Sequence, residues 1–346
     1  MRLKVALDPR RSDEAFVDAV TMVHELRDGG ARVFPLPQNQ QARVDKLVSI
    51  DARYGVHEYL GEHFKPLMFS DVAEAFSNAK CSYVGTAEST DHLLRLSVPR
   101  GVFDMIDATT DLVLRESMRD LSIMRSFRRD VYRRGLAPPS PTAHERSLND
   151  FTIVGLGKAF NETFTRTVHG GSVTMTAELY QPVVEALECG PPSVAEVRHI
   201  HDGAEMSLTR AVSLVVMLIE AEFAAPEVSG WMHNGSREST RRFNRVLIDE
   251  NRAGSSHRYL VAPATGSAVD SSIMELLVIG ALWDGADADP AQLTESVMNE
   301  VARQRRRVLH ASGHVVDQQE AWLITRRRVE RALGRAEGLL ARLGVC

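Results

Sequence analysis

Histidines, carboxylates, cysteines and glycines at the right spacing announce chemistry most directly, and several stretches of this chain come close. His57-Glu58-Tyr59-Leu60 begins like HExxH, in which two histidines on one helix face hold zinc beside a glutamate base. The fifth position is Gly61, and His63 lies about 240° around a helix from His57, so the two cannot grip one ion. His199-Ile-His201-Asp202 is a second near miss, at the expected end of a short helix where histidines cap carbonyls. The run Asp150-Phe-Thr-Ile-Val-Gly155-Leu-Gly157 resembles the strand and glycine turn of a nucleotide-binding βαβ unit. It fails at its third glycine, because Phe160 stands there and its side chain would obstruct a pyrophosphate. Cys81, Cys189 and Cys346 form no CxxC or metal spacing, and no GxSxG elbow occurs, so the cysteines read as reduced thiols. The expectation is no catalytic, cofactor-binding or metal-ligating residue on this chain.

Arginine is the other chemistry-bearing residue. Arg115, Glu116, Arg119 and Asp120, followed by Arg125-Ser-Phe127-Arg128-Arg129-Asp130, put both signs at i,i+4 spacing, the pattern of a solvated helix face laced with weak ion pairs. Arg303, Arg305, Arg306 and Arg307, and later Arg326, Arg327 and Arg328, read likewise as polar faces of C-terminal helices. Only Lys4, Lys46, Lys65, Lys80 and Lys158 are lysines among 41 basic residues, so arginine enrichment alone carries little weight.

The elements that must position these residues belong to a chain of 346 residues, long enough for about two cores. A net charge of −5 argues against specific nucleic-acid binding. The apolar runs Leu214 to Ile219 and Leu276 to Trp283 fall short of the ~20 residues that cross a bilayer. The N-terminus shows no signal-peptide pattern, so a cytoplasmic protein without membrane insertion is expected. Helical spacing predicts helices over Asp13 to Leu26, Gln41 to Leu60, Ser70 to Ala79 and much of Phe103 to Arg134. The prolines of Ala137-Pro-Pro-Ser140-Pro141 suggest a linker. Strands are expected at Cys81 to Gly85, Phe151 to Leu156, Val168 to Met175 and Arg258 to Pro263, with closing helices at Ser271 to Trp283, Pro290 to His310 and Gln318 to Leu343. A capping box at Ser193-Val-Ala-Glu196 starts a short helix before a longer one at Ser207 to Glu222, the order of a winged-helix module over about 177–228. That longer helix carries Arg210 in an apolar run, which suits a core helix better than a DNA reader. The fold class expected is mainly α with short strands (α+β), organised as 1–136, a linker over 137–149, and 150–346.

Two sets of motifs carry a resemblance. Tyr54-Gly-Val-His57-Glu58-Tyr59-Leu60 through Lys65-Pro66-Leu67, Phe69-Ser-Asp71-Val-Ala73, Ser82-Tyr83-Val84-Gly85, Arg119-Asp120 and Phe127-Arg128-Arg129-Asp130 resemble the predicted methyltransferase regulatory domain of bacteria. Tyr180-Gln-Pro-Val-Val, Gly190-Pro-Pro-Ser193, Phe243-Asn244-Arg245 and Tyr259-Leu-Val-Ala-Pro263 are similar to the C-terminal domain of rickettsial-type protein lysine methyltransferases.

The resemblance implies a helical regulatory domain followed by a winged-helix-containing C-terminal domain. In that family an S-adenosylmethionine-dependent catalytic domain normally comes first, and here its residues have no positions to map onto. S-adenosylmethionine is therefore expected only on a partner or a missing catalytic domain. The partners implied are a methyltransferase domain, a protein substrate or a second copy of the chain. Three functions follow: a non-catalytic regulatory or substrate-recruiting protein, the regulatory portion of a protein lysine methyltransferase, or a winged-helix transcription regulator. His57, Glu58, Tyr59, Arg119, Asp120, Phe127, Arg128, Arg129 and Asp130 are the candidate structural or interaction signature, with Glu58 and Glu62 expected as carboxylates for Arg128 or Arg129 and Phe64 among the apolar groups between them.

Overall fold

A computed structural model describes all residues except 35–37, 62, 64, 136–137, 161–162, 202–204, 233–235, 310–313, 315 and 346. Glu62, Phe64, Asp202, His310 and Cys346 thus lie outside the described residues. Helix accounts for 57% and strand for 12%, so the mainly α class holds. Every described sheet is a two-stranded antiparallel ribbon. Compactness divides the chain into Met1–Val72 and Ala73–Cys346, ahead of the proline-rich stretch.

The first unit contains α1 (Arg2–Ala6), α2 (Ser12–Asp28), α3 (Gln38–Lys46) and α4 (Ala52–Tyr59). Helix α2 buries Ala15, Phe16, Ala19 and Val20, one stripe of its surface, while Val17 and Leu26 of the expected apolar set are exposed. The single helix expected from Gln41 to Leu60 is broken, because Ile50 is extended and Asp51 starts a new helix by accepting from the Arg53 and Tyr54 backbone N–H groups. Gly55 of α4 lies against the Phe16 ring, where an added Cβ would stand 2.3 Å from Cζ. Only glycine permits that approach.

Helix α5 (Phe69–Asn78) leads into the second unit and its first ribbon, β1 (Cys81–Thr86) paired with β2 (Asp130–Arg134). Between these strands come a 3-10 turn at Ser89–His92, α6 (Leu94–Ser97), α7 (Phe103–Asp107) and α8 (Leu112–Ile123). The helix expected to carry Phe127 to Asp130 ends early. Met124 adopts a left-handed φ of 49° and closes α8, and Asp130 onward pairs with β1 instead. Inside the expected linker, Pro141–Asn149 forms α9, with Ser140 as N-cap and Pro141 in the first turn, where its missing N–H costs nothing.

The rest of the unit runs β3 (Ile153–Gly155), β4 (Thr163–Val168), β5 (Gly171–Thr176), α10 (Ala177–Cys189), α11 (Val194–Val197), α12 (Leu208–Glu220) and β6 (Ala224–Pro226). The strand expected over Val168 to Met175 is a hairpin turning at His169-Gly170. Helix α12 is a core helix, burying Ala211, Leu214, Val215, Met217 and Leu218 against α10 and α11 residues such as Val183 and Val197. After it β6 pairs with β3 from upstream, whereas a wing would pair it with a following strand. Gly155 and Gly157 are packing glycines: an added Cβ would lie 3.0 Å from the Leu187 Cβ and 3.1 Å from a Leu339 methyl. The chain closes with α13 (Ser236–Arg252), β7 (Tyr259–Ala262), β8 (Ser267–Asp270), α14 (Ile273–Trp283), α15 (Pro290–Arg303) and α16 (Gln318–Arg335), which continues as a π-helical segment, Ala336–Leu340. Leu277, Val278, Leu293, Val297, Val329 and Leu333 join α14, α15 and α16 in one apolar cluster.

Candidate functional site

The β1–β2 ribbon, α8 and the turn at Ser89–His92 enclose a set of charges that a solvated helix face does not explain. Glu116 and Arg119 point from α8 toward the ribbon, and Arg128 enters from the loop before β2. Arg128 donates through Nη2 to Glu116 Oε2 (2.9 Å), through Nη1 to Asp120 Oδ1 (2.8 Å) and through Nε to Asp130 Oδ2 (2.9 Å). Its Nη2 also donates to the Tyr83 hydroxyl (3.1 Å), which donates onward to Glu116 Oε2 (3.3 Å). Arg119 holds the other Glu116 oxygen (2.6 Å), the Ser97 hydroxyl (3.1 Å) and the Asp91 carbonyl. Arg125 completes the set, 2.7 Å from Asp91 Oδ2 and 3.1 Å from Asp120 Oδ1. The Glu116, Asp91, Arg119 and Arg125 side chains are all less than a tenth exposed.

Burial opposes charge on Glu116, Asp120, Arg128 and Tyr83, so the geometry of their partners decides how each titrates. Burial pushes the Glu116 carboxyl up, but Arg119 and Arg128 more than offset it, each on its own oxygen, and the net shift is downward. For Asp120 burial prevails over Arg128 and Arg125 and the carboxyl is raised; both contacts fall on one oxygen, Oδ1. Burial lowers Arg128, yet its bonds to Asp130 and Glu116 prevail and hold the guanidinium more firmly protonated than usual. Burial raises the Tyr83 phenol, and the Glu116 carboxylate adds to it. Three guanidinium groups face four carboxylates, so most of the charge is paired within the cluster, and its chemistry is clamping.

Aromatic rings continue the clamp. Tyr132 of β2 stacks on Phe76 of α5 with centroids 4.0 Å apart and meets Tyr83 edge-on at 5.6 Å. A polar cleft of about 320 Å³ opens beside Glu116 and Arg119 and includes Asp107, Arg115 and His92, whose Nε2 donates to the Thr86 carbonyl at 2.8 Å.

The sequence signature divides accordingly. Arg119, Asp120, Arg128 and Asp130 are brought together in the cluster. Arg129 is exposed and meets Glu88, with Nε 2.8 Å from Oε1, and Phe127 is 75% exposed. His57, Glu58 and Tyr59 lie exposed on α4 in the first unit, where the Tyr59 carbonyl accepts from Arg2. Within the second unit Arg128 meets Glu116, Asp120 and Asp130 and Arg129 meets Glu88, while the expected Glu58 belongs to the first unit. Solvation of Arg119 and Arg125 is corrected, because the turn carrying Asp91 covers them. Sequence reasoning missed Asp91 altogether and Glu116 as a hub. No group of three His, Cys, Asp or Glu among the described residues could hold a metal.

Residues 51–134 match the predicted methyltransferase regulatory domain. The buried cluster lies within these matched residues. Over 261 residues the chain is 22% identical to an uncharacterized protein, sll1526, of the cyanobacterium Synechocystis; the match covers 75% of this chain and 52% of that protein. The chain thus spans about half the length of that curated relative. Its fold is similar to that of PKMT2 from Rickettsia typhi. The structure in complex with AdoHcy gives a TM-score of 0.61 at 13% identity over 97% of this chain and 69% of that one. A second PKMT2 structure gives 0.62, also at 13% identity, over 98% and 70%. At that identity the likeness is one of fold. No described helix is long and apolar enough to cross a membrane.

Proposed function

We propose that this chain is a non-catalytic regulatory or substrate-recruiting component of a methyltransferase system and works by contact with a methyltransferase domain. One observation carries the reading: the regulatory-domain segment buries a cluster of charges while leaving large apolar side chains exposed beside it. Leu114 and Leu121 of α8, Met124, Phe127 and Val131 are each about half or more exposed, in the same stretch that buries Glu116, Arg119 and Arg125. Exposed apolar side chains gathered on one segment fit a surface that another protein covers. The antiparallel ribbons and the packing roles of Gly155 and Gly157 agree with placing S-adenosylmethionine on the partner. The coverage of its relatives also suits a second form of this reading, in which the chain is the regulatory portion of a larger methyltransferase.

The test joins binding to transfer. The tagged chain is recovered from its native host, any co-purifying methyltransferase is identified, and transfer from labelled S-adenosylmethionine is measured for each component and for the pair. The expected result is no transfer by the chain alone, enhancement in the pair, and loss of enhancement in Leu121→Ser/Phe127→Ser. Saturable low-micromolar S-adenosylmethionine binding by the isolated chain, with methyl transfer, overturns it.

A further inference from the structure

The chain has a net charge of −5, yet one cavity gathers the opposite sign. It measures about 930 Å³ and lies wholly in the second unit, among the start of α14, the connection after α15 and the C-terminal half of α16. Arg328, Arg331 and Arg335 line it at spacings of three and four, which place them on one side of α16. Arg342 extends the row beyond the π-helical segment, Arg306 and Arg307 arrive from the connection, and Arg258 comes from just before β7. Against these seven guanidinium groups the lining holds two carboxylates, Glu188 and Glu275.

Among the described residues Arg335 alone meets one of them, with Nη1 2.7 Å from Glu275. Among the described residues Arg306, Arg328 and Arg342 reach only backbone carbonyls, of Ser255 (3.4 Å), Leu309 (3.2 Å) and Glu188 (3.1 Å). Arg331 likewise reaches the Arg327 carbonyl at 3.4 Å. Nη1 of Arg306 is buried with no hydrogen-bond partner among the described residues. Like charges around one hollow repel, and a buried charged N–H without an acceptor is costly. An anion in the hollow relieves both. The N-terminal end of α14, the positive end of that helix dipole, also faces the cavity. Ile273, Met274, Val301 and Leu339 supply apolar wall between the guanidinium groups, and at Gly334 and Gly338 an added Cβ would meet nothing within 4 Å.

We propose that this cavity binds a compact polyanion, a molecule bearing two or more phosphoryl groups on a small, partly apolar body. A phosphoryl group presents several oxygens at once to guanidinium forks arriving from different walls, which is the arrangement here. An extended acidic peptide spreads its carboxylates at ~3.3 Å per residue and calls for a row of cations along a groove. This site stands independently of the methyltransferase reading.

The experiment is isothermal titration of the full chain with sodium tripolyphosphate at low and high salt, with melting curves for every variant. The expected result is saturable micromolar binding that weakens as salt screens the charges. Arg306→Gln and Arg331→Gln each weaken it by on the order of tenfold, as loss of a charge-assisted hydrogen bond implies. Arg303→Gln, which removes a partner of Glu300 outside the cavity, leaves binding unchanged. The two cavity variants remove mutual repulsion, so they melt no lower than the parent chain. Absence of saturable binding up to millimolar ligand, unchanged affinity in the Arg306→Gln/Arg331→Gln double variant, or binding of an oligoglutamate peptide without tripolyphosphate overturns the proposal.

Discussion

The second unit holds two concentrations of arginine that differ in what surrounds them. Around Arg128 every guanidinium meets carboxylates, Glu116, Asp120, Asp130 or Asp91, and the set is sealed by the turn at Ser89–His92. Around the 930 Å³ cavity six guanidinium groups have no carboxylate partner among the described residues. The same residue type is structural in the first place and available in the second. Pairing and enclosure decide which, because a buried paired charge is expensive to strand while an unpaired, partly solvated one is cheap to remove.

Glu116→Ala should break that comparison hardest. It removes one buried carboxylate partner from Arg119 and Arg128 at once, and a urea melt should show a loss of about 3–5 kcal/mol. A loss under ~1 kcal/mol would mean that the cluster is solvated like an ordinary surface.

Acid titration sharpens the account within the cluster. Glu116 is lowered on folding from its ordinary 4.5, so its contribution is present above that value and lost as pH falls through the folded one. Asp120 is raised above its ordinary 3.8, so its charged form costs stability at neutral pH and the cost disappears as pH falls between those values. The advantage of the parent chain over Glu116→Gln should therefore shrink on acidification, while its advantage over Asp120→Asn should grow. Melts from pH 7 to 3 check this, and parallel trends would refute the separate assignment of the two carboxylates. The smallest effect belongs to the exposed pair: a double-mutant cycle on Glu88→Ala and Arg129→Ala should give a coupling under ~1 kcal/mol, smaller still in high salt.

Much of the scaffold was legible in the sequence because helices such as α12 and α14 are apolar runs with Ser N-caps, and burial and capping are local signals. The Arg119-Asp120 and Phe127 to Asp130 signatures also pointed to the right region. Their environment was not legible. Charges at i,i+4 spacing look identical whether water or another turn covers the face, and only tertiary folding brings Asp91 over Arg119 and Arg125. The cavity was hidden for the same reason: Arg306, Arg307 and Arg328 read as polar faces, and their convergence with Arg258 and Arg342 spans separate elements. The ends of α8 and of the β4–β5 hairpin were missed because a left-handed Met124 and a turn at His169-Gly170 leave helical and strand periodicity unbroken in the residues around them.

The contrast between sealed and available arginine is tested most directly by paired urea melts of Arg128→Gln and Arg331→Gln in phosphate-free buffer. Arg128→Gln should lose about 3–5 kcal/mol, because Glu116, Asp120 and Asp130 are left facing one another in a buried site. Arg331→Gln should stay within about 0.5 kcal/mol of the parent chain or exceed it, as like-charge repulsion in the cavity falls. Equal losses in the two variants would contradict the account.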